Sequence, residues 1–171
     1  MNGMSPRDGE HRTERTFYRR GRIEGRWATL QVLKAARATA HDEARRAADD
    51  ARAGRSPRAF SRAERVRLAL LLFDDWILLL ERELAEGEVV VIRAGENEDD
   101  MMEWLEKGRT SSLAEVRDIL DCLLGIQGLH VAEEHRRQIR TCTALGTFQR
   151  WFERAVTATT GNAVFELPPV A

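Results

Sequence analysis

The sequence lacks the short motifs that mark common catalytic and nucleotide-binding sites. It contains no G-x-S-x-G, no P-loop and no G-x-G-x-x-G, the patterns that expose a nucleophile or cradle a phosphate. Only two lysines are present, and the residues two positions before Lys34 and Lys107 are Val32 and Leu105. Neither lysine therefore belongs to an acidic-x-Lys pair, in which carboxylates hold a divalent ion and the lysine faces the attacking water or the phosphate. We expect a protein that is not an enzyme and needs no cofactor.

Cysteine is equally scarce. Cys122 and Cys142 are the only two, and neither lies in a C-x-x-C motif, which indicates reduced thiols and a cytoplasmic location rather than a disulfide framework. His130 and His135 lie near Cys142 in the sequence, but a zinc site requires four ligands with paired spacing. We therefore interpret these histidines as structural and predict no metal site.

The chain also has no apolar run of the roughly 20 residues that a membrane-spanning helix requires. Its most apolar stretch, Leu68 to Leu80, is shorter and carries Asp74 and Asp75 at its centre. This stretch predicts a buried core helix, the central helix of the fold. The N-terminus is crowded with arginines, which is not typical of a signal peptide, and we expect no membrane partner.

Charge is abundant and is arranged in blocks. Residues 1–67 hold 17 basic and 9 acidic residues, residues 68–135 hold 5 and 17, and residues 136–171 hold 5 and 2. The basic block is able to bind nucleic acid, or the opposite blocks are able to bind each other within or between chains. We favour the second interpretation because both charges are already on one chain.

Periodic apolar residues predict an all-α fold, a bundle of five or six helices. We expect a flexible tail over residues 1–12, a helical core with a long basic N-terminal helix over 13–110, and a three-helix unit with a tail over 111–171. A continuous first helix from Thr13 to Arg52 would be about 60 Å long. Either it breaks near Thr39 to Asp42, or part of it projects against another chain.

Helix ends are predicted from capping patterns. Ser61 with Glu64, and Ser112 with Glu115, match the capping box, and Thr143 is the predicted N-cap of the last helix. Glycines mark the expected helix stops, at Gly54, Gly87, Gly108, Gly125 or Gly128, and Gly161. Glu88 to Gly95 is the only strand-like run, either a connector, which we favour, or a strand that pairs with its copy in a dimer.

The strongest candidate site is the segment RTFYRRGRIEGRW, which mixes arginines with aromatic residues. Such a segment is typical of a nucleic-acid surface, of a helix that packs on protein, or of a solvated helix. We favour a protein contact, because Gly21 and Gly25 each cost a helix about 1 kcal/mol relative to Ala yet allow another backbone to approach. The candidate residues are Arg15, Phe17, Tyr18, Arg19, Arg20, Gly21, Arg22, Gly25, Arg26 and Trp27.

Two acidic groups are candidate ligand sites. Asp74 and Asp75 form a candidate buried acidic pair, but adjacent residues point about 100° apart on a helix, so a salt bridge from one of them to an arginine of the first helix is the favoured interpretation. The cluster Glu96, Glu98, Asp99 and Asp100 lacks the alternating spacing of a calcium loop and is interpreted as a solvated helix start.

The C-terminal part carries a recognisable order of features. A leucine-rich helix is followed by G-L-x-V at Gly128 to Val131, then R-x-x-I, then CT before W-x-x-R-A at Trp151 to Ala155, and a Val-Phe end. This order resembles the helical tail of the recombination-promoting nuclease, or putative transposase, family, and GRIEGRW is similar to the linker before that tail. The resemblance implies a tail without its nuclease core, and it implies a nuclease or transposase as a partner.

Together these patterns predict a non-catalytic helical interaction or regulatory protein that forms a homo-oligomer through its first helix and its charge blocks. The alternative is a nucleic-acid-binding accessory protein that uses the basic N-terminal helix.

Overall fold

The structure, a computed structural model, describes residues 6–54, 57–86 and 98–166. These residues are helical throughout apart from short turns, which confirms the predicted all-α fold. Six helices have nine or more residues, and a five-residue helix follows them. They are α1 (Pro6–Arg52), α2 (Pro57–Glu86), α3 (Glu98–Ser111), α4 (Leu113–Ile126), α5 (Glu133–Thr141), α6 (Leu145–Thr157) and α7 (Gly161–Phe165).

The first helix is continuous over 47 residues, about 70 Å at about 1.5 Å per residue. It has no break near Thr39 to Asp42, and it begins at Pro6, so residues 6–12 of the predicted tail are helical. It packs against α2, α3, α4 and α6. The expectation that α2 is the central helix is therefore wrong, because the small residues of α1 let neighbours approach it from several sides.

The first two helices run antiparallel. The ion pairs Lys34–Glu81 and Arg37–Asp74, at 2.7 and 2.6 Å, advance along α1 while they retreat along α2. The turn between the helices begins at Gly54, whose φ of 62° is the left-handed conformation that glycine adopts without strain. The predicted stop at Gly54 is confirmed.

One hydrophobic core joins the N-terminal and C-terminal helices. Leu30 and Leu33 of α1, Phe73 of α2, Ile119 of α4 and Phe152 of α6 all belong to a single cluster of buried side chains. The rings of Phe73 and Phe152 meet edge to face with centroids 6.1 Å apart, a favoured aromatic geometry. The C-terminal helices thus pack onto α1 and α2 across the predicted division at residue 110/111.

Both predicted capping boxes are wrong. Helix α2 begins at Pro57, so Ser61 lies inside the helix, where its Oγ accepts a hydrogen bond from Arg65 at 2.9 Å. Ser112 has helical backbone angles and makes no capping hydrogen bond, since its Oγ donates to the carbonyl of Arg109 at 2.7 Å. Glu115 pairs instead with Arg26 of α1. A tertiary ion pair has replaced the local capping interaction.

The C-terminal turns differ in part from expectation. Gly128, with a φ of 66°, ends α4 as predicted. The N-cap of α6 is Ala144 without a capping side chain, so the prediction of Thr143 is wrong. The helix α6 ends at Thr157, so the stop predicted at Gly161 is wrong. Thr160 accepts a hydrogen bond from the amide of Ala163 and begins α7, so Gly161 to Phe165, part of the predicted tail, are helical.

Several sequence predictions fall outside the described residues. These are the strand-like run at 88–95, the stop at Gly87 and the side chains of the acidic cluster at 96–100. None of the helices in the described part of the chain combines the length and the apolar character needed to cross a membrane.

Candidate interaction surfaces

The two glycines of the basic segment are used inside the chain. A methyl group on Gly21 would overlap the carbonyl oxygen of Leu105, and one on Gly25 would overlap Ser112 Oγ. From the other side, a methyl group on Gly108 would overlap the carbonyl oxygen of Tyr18. Thus α1 and α3 meet backbone to backbone, through Gly21 and Gly25 on α1 and through Gly108 of α3 and Ser112, which follows the last residue of α3. The prediction that a backbone approaches these glycines is confirmed, but that backbone is α3 of the same chain.

Gly108 was predicted to end α3, and this prediction is wrong because α3 continues to Ser111. The spacing of Gly108 and Ser112 matches the spacing of Gly21 and Gly25. That match is the sequence signal by which the α1–α3 contact is recognisable.

Arg26 joins three helices. Its guanidinium lies 2.8 Å from Glu83 of α2 and 3.0 Å from Glu115 of α4, and its side chain is 18% exposed. Arg109 of α3 holds Glu24 of α1 at 2.6 Å. The Arg26 pairs, like Lys34–Glu81 and Arg37–Asp74, join the basic block to the acidic block within one chain.

The carboxyl group of Glu24 shows the electrostatic effect of this arrangement. Burial raises the pKa of Glu24, but the hydrogen bonds and charges of Arg109 and Arg20 together lower it by more. The pKa of Glu24 therefore lies below its ordinary value of 4.5. The hydrogen bond that Arg109 donates to Glu24 in turn raises the pKa of Arg109. The pair therefore stays ionised at neutral pH.

The other candidates in this segment do not form one surface. Phe17 is buried at 3% exposure, Arg20 pairs with Glu24 at 2.9 Å, and Arg22 lies 3.8 Å from Glu115. Trp27 is 52% exposed, but it lies beside Leu84 and Ala85 of α2.

A groove lies at the N-terminal part of α1, with a volume of about 650 Å³. Arg15, Tyr18 and Arg19 line it together with Glu14 and with Trp104 of α3. The ammonium of Lys107 lies 4.3 Å from the centroid of the Trp104 ring. Trp104 was missing from the predicted site because it lies more than 75 positions after the last residue of that segment, Trp27.

The second surface is the solvent face of α2, which the sequence analysis assigned to the core. Leu68, Leu71 and Leu78 are 41, 49 and 69% exposed, whereas Phe73 and Leu80 on the opposite face are buried. We call this face the α2 seam. The α2 seam is defined by six of the exposed residues of α2, which are Glu64, Leu68, Leu71, Asp75, Leu78 and Arg82.

The candidate acidic pair is not buried. Asp75 is exposed, and the side chain of Asp74 is 46% exposed while it pairs with Arg37 of α1 at 2.6 Å. The ion pair to an arginine of the first helix is thus confirmed, and the burial is wrong. Only one face of α2 packs on α1. Asp74 lies at the edge of that face, where it reaches Arg37, and Asp75 lies on the solvent face.

The described residues contain no cluster of three or more His, Cys, Asp and Glu side chains placed to hold a metal ion. His135 stacks on Phe165 with ring centroids 4.5 Å apart, and His130 is exposed. Cys122 and Cys142 are unpaired.

Comparison of the chain with protein-family models, with curated proteins and with solved structures finds no match.

Proposed function

We propose that this protein is a non-catalytic helical interaction protein that assembles as a homo-oligomer through the α2 seam. The observation that carries the proposal is the row of three exposed leucines on one face of a 30-residue helix. Scattered surface leucines are ordinary, but an aligned apolar row on a helix is typical of an interaction site. This surface is not the one that the sequence predicted. Gly21 and Gly25 of α1 contact α3 of the same chain, and Arg26 pairs with Glu83 of α2 and Glu115 of α4.

The seam supports an assembly of modest strength. Complete burial of a leucine side chain is worth about 1.5–3 kcal/mol relative to full exposure, and these leucines are already about half covered. Association costs about 4–15 kcal/mol in lost freedom. The leucines of two copies offset that cost only narrowly, so we expect the assembly to depend on protein concentration.

The test is the solution mass by light scattering from about 1 µM to about 200 µM protein, a range that brackets a dissociation constant in the micromolar region. We expect mass to rise with concentration and to persist at high salt, because screening weakens ion pairs and not apolar contacts. The double variant Leu71→Ser/Leu78→Ser should stay monomeric. Met102, 47% exposed on α3, supplies the matched control Met102→Ser. A wild-type monomer at every concentration contradicts the proposal.

A second candidate function, nucleic-acid binding, is favoured by the groove at Arg15, Tyr18, Arg19 and Trp104. Guanidinium groups neutralise phosphates, and rings stack on unpaired bases. The experiment is binding of a fluorescent single strand across salt concentrations, with Arg15→Ala/Arg19→Ala and Trp104→Ala. Tight binding that falls steeply with salt and is lost in these variants supports this function, whereas binding unchanged in the variants contradicts it.

The remaining parts of the proposal rest on the sequence. The unpaired cysteines favour the cytoplasm as its setting. The resemblance of the C-terminal tail adds a nuclease or transposase as a class of partner, by analogy with proteins that carry a similar tail.

A further inference from the structure

The exposed residues of the α2 seam follow a strict spacing. They are separated by four, three, four, three and four positions, from Glu64 through Leu68, Leu71, Asp75 and Leu78 to Arg82. An alternation of three and four is the a/d pattern of a coiled coil, in which a helix presents one continuous row to another helix. The row covers 19 residues, about 27 Å of helix at about 1.5 Å per residue. It is long enough to support a helix pair.

We propose that a second copy of this chain covers the α2 seam as an antiparallel, two-fold symmetric α2–α2 pair in register about Phe73. This inference rests on the proposed self-association. In this register Leu68 faces Leu78 of the second copy, Leu71 faces its Asp75, and Glu64 faces its Arg82. Every position of the seam then meets a position of the seam, as a two-fold contact requires.

Charge decides the direction of the pair. A parallel pair in register stacks Glu64 on Glu64, Asp75 on Asp75 and Arg82 on Arg82, three layers of like charge. The antiparallel pair replaces the two outer layers with Glu64–Arg82 contacts. Arg82 makes no ion pair within the described ranges, and Glu64 has a single, marginal one to Arg67 at 4.0 Å. Both side chains are exposed and available for the contact.

The same charges identify the occupant as a second copy. The seam carries an acid at one end and a base at the other, with leucines between them, so its best complement is its own sequence read in the opposite direction. Asp75 is the exception, because each carboxylate faces a leucine. A polar residue at one core position of a coiled coil fixes register at a cost in stability, and we assign that role to Asp75.

Disulfide trapping tests the direction, in a background of Cys122→Ser and Cys142→Ser. The variants are Leu68→Cys and Leu78→Cys, each oxidised alone and then as an equal mixture. In the antiparallel register, residue 68 and residue 78 of the other copy are neighbours, whereas identical positions lie about 15 Å apart along the axis, beyond the roughly 7 Å that a disulfide spans between Cα atoms. We expect covalent dimers only in the mixture, at least about tenfold above either variant alone.

The outcomes separate this inference from the proposed function. Efficient covalent dimers in either variant alone overturn the antiparallel pair in favour of a parallel one. A light-scattering dimer with no cross-link in the mixture overturns the register while self-association stands. A monomer by light scattering overturns the self-association itself.

A charge exchange gives an independent readout without new cysteines. Glu64→Arg and Arg82→Glu should each weaken the dimer about tenfold, an amount consistent with placing like charges in two layers. The double exchange should restore dimerisation to within about threefold of the wild type. Asp118→Arg, at an exposed position of α4 away from the seam, is the control for a change of charge. A double variant as weak as the two singles combined overturns the Glu64–Arg82 contact.

Discussion

Two surfaces of this molecule each carry a helix–helix contact pattern, and only one of them is filled within the chain. Gly21 and Gly25 of α1 lie against the backbone of α3. The leucines of the α2 seam face solvent on a helix whose other face is fully packed. A contact pattern in a sequence therefore does not show whether the residues that pack against it are in the same chain or in another. For the glycines the complement was Gly108 and Ser112, 80 or more residues away.

The largest expected effect on stability is at the buried face of α2, and the solvent face supplies its comparison. Leu80 is 1% exposed and Leu78 is 69% exposed, two positions apart on one helix. Leu80→Ala should lower the free energy of unfolding by about 2–5 kcal/mol, because it removes buried contacts and leaves a cavity. Leu78→Ala should change it by less than about 0.5 kcal/mol in the monomer. Urea unfolding at low protein concentration measures both. Equal losses would show that the seam is covered within the chain.

A somewhat smaller effect is expected at the glycine contact. Gly21→Ala should lower the free energy of unfolding by about 1–3 kcal/mol, since the added methyl group forces two packed backbones apart. Gly146 of α6 is the matched control, because a methyl group there meets no atom within 4 Å. Gly146→Ala should stabilise the protein by up to about 1 kcal/mol through helix propensity.

Thermal and urea unfolding of the two glycine variants should move in opposite directions. If Gly21→Ala were also stabilising, α1 and α3 would not be in backbone contact. The same variant should leave the solution mass unchanged, because the glycine contact lies within the chain and not between copies.

The sequence predicted the helices well and their neighbours poorly. Apolar spacing at Leu113, Val116, Ile119 and Leu120 is a local property, and the helix it predicts is α4. Which face of α2 is buried is not local: Leu78 and Leu80 are the same residue type, and their difference depends on where α1 and α4 lie. The capping predictions failed for the same reason, since the carboxylate of Glu115 binds a guanidinium of α1 instead of a nearby amide.

The sequence identified the segment that contains the groove residues, but it did not show which residues of the segment line the groove and which are buried. Arg15, Tyr18 and Arg19 reach the groove, whereas Phe17 and Arg26 point into the protein. Helical phase separates Phe17 from the groove residues, but it does not separate Arg26, which lies only about 20° from Arg15 around the helix at about 100° per residue. Arg26 is about three turns further along α1, where Glu83 of α2 and Glu115 of α4 pair with it. Trp104 and the acidic partners Glu83 and Glu115 come from other helices, so no pattern within the segment indicates them.

The third prediction concerns the seam and Asp75. Asp75→Leu should strengthen the dimer at least about tenfold, because it removes two carboxylates from an apolar interface, and it should leave the direction of the pair less well fixed. Sedimentation equilibrium measures the association. Asp118→Leu, at an exposed position of α4, is the control for nonspecific association caused by an added surface leucine. If both variants associated equally, the seam would not be the contact.

The smallest expected effect is a pH dependence at the α1–α3 contact. The pKa of Glu24 lies below its ordinary value of 4.5, because the hydrogen bonds and charges of Arg109 and Arg20 outweigh the effect of burial. A lowered carboxyl pKa contributes stability that is fully present above the unfolded value and is lost as pH falls through the folded value. Since both side chains are partly exposed, 34% for Glu24 and 42% for Arg109, the contribution should be no more than about 1 kcal/mol.

Glu24→Gln should therefore be less stable than the wild type at pH 7, and the difference should shrink as the pH falls below about 4.5. Urea unfolding at a series of pH values measures it, with Glu86→Gln, exposed at the end of α2, showing no such convergence. A gap between Glu24→Gln and the wild type that stayed constant down to acid pH would mean that Glu24 stabilises the contact by packing and not by its charge.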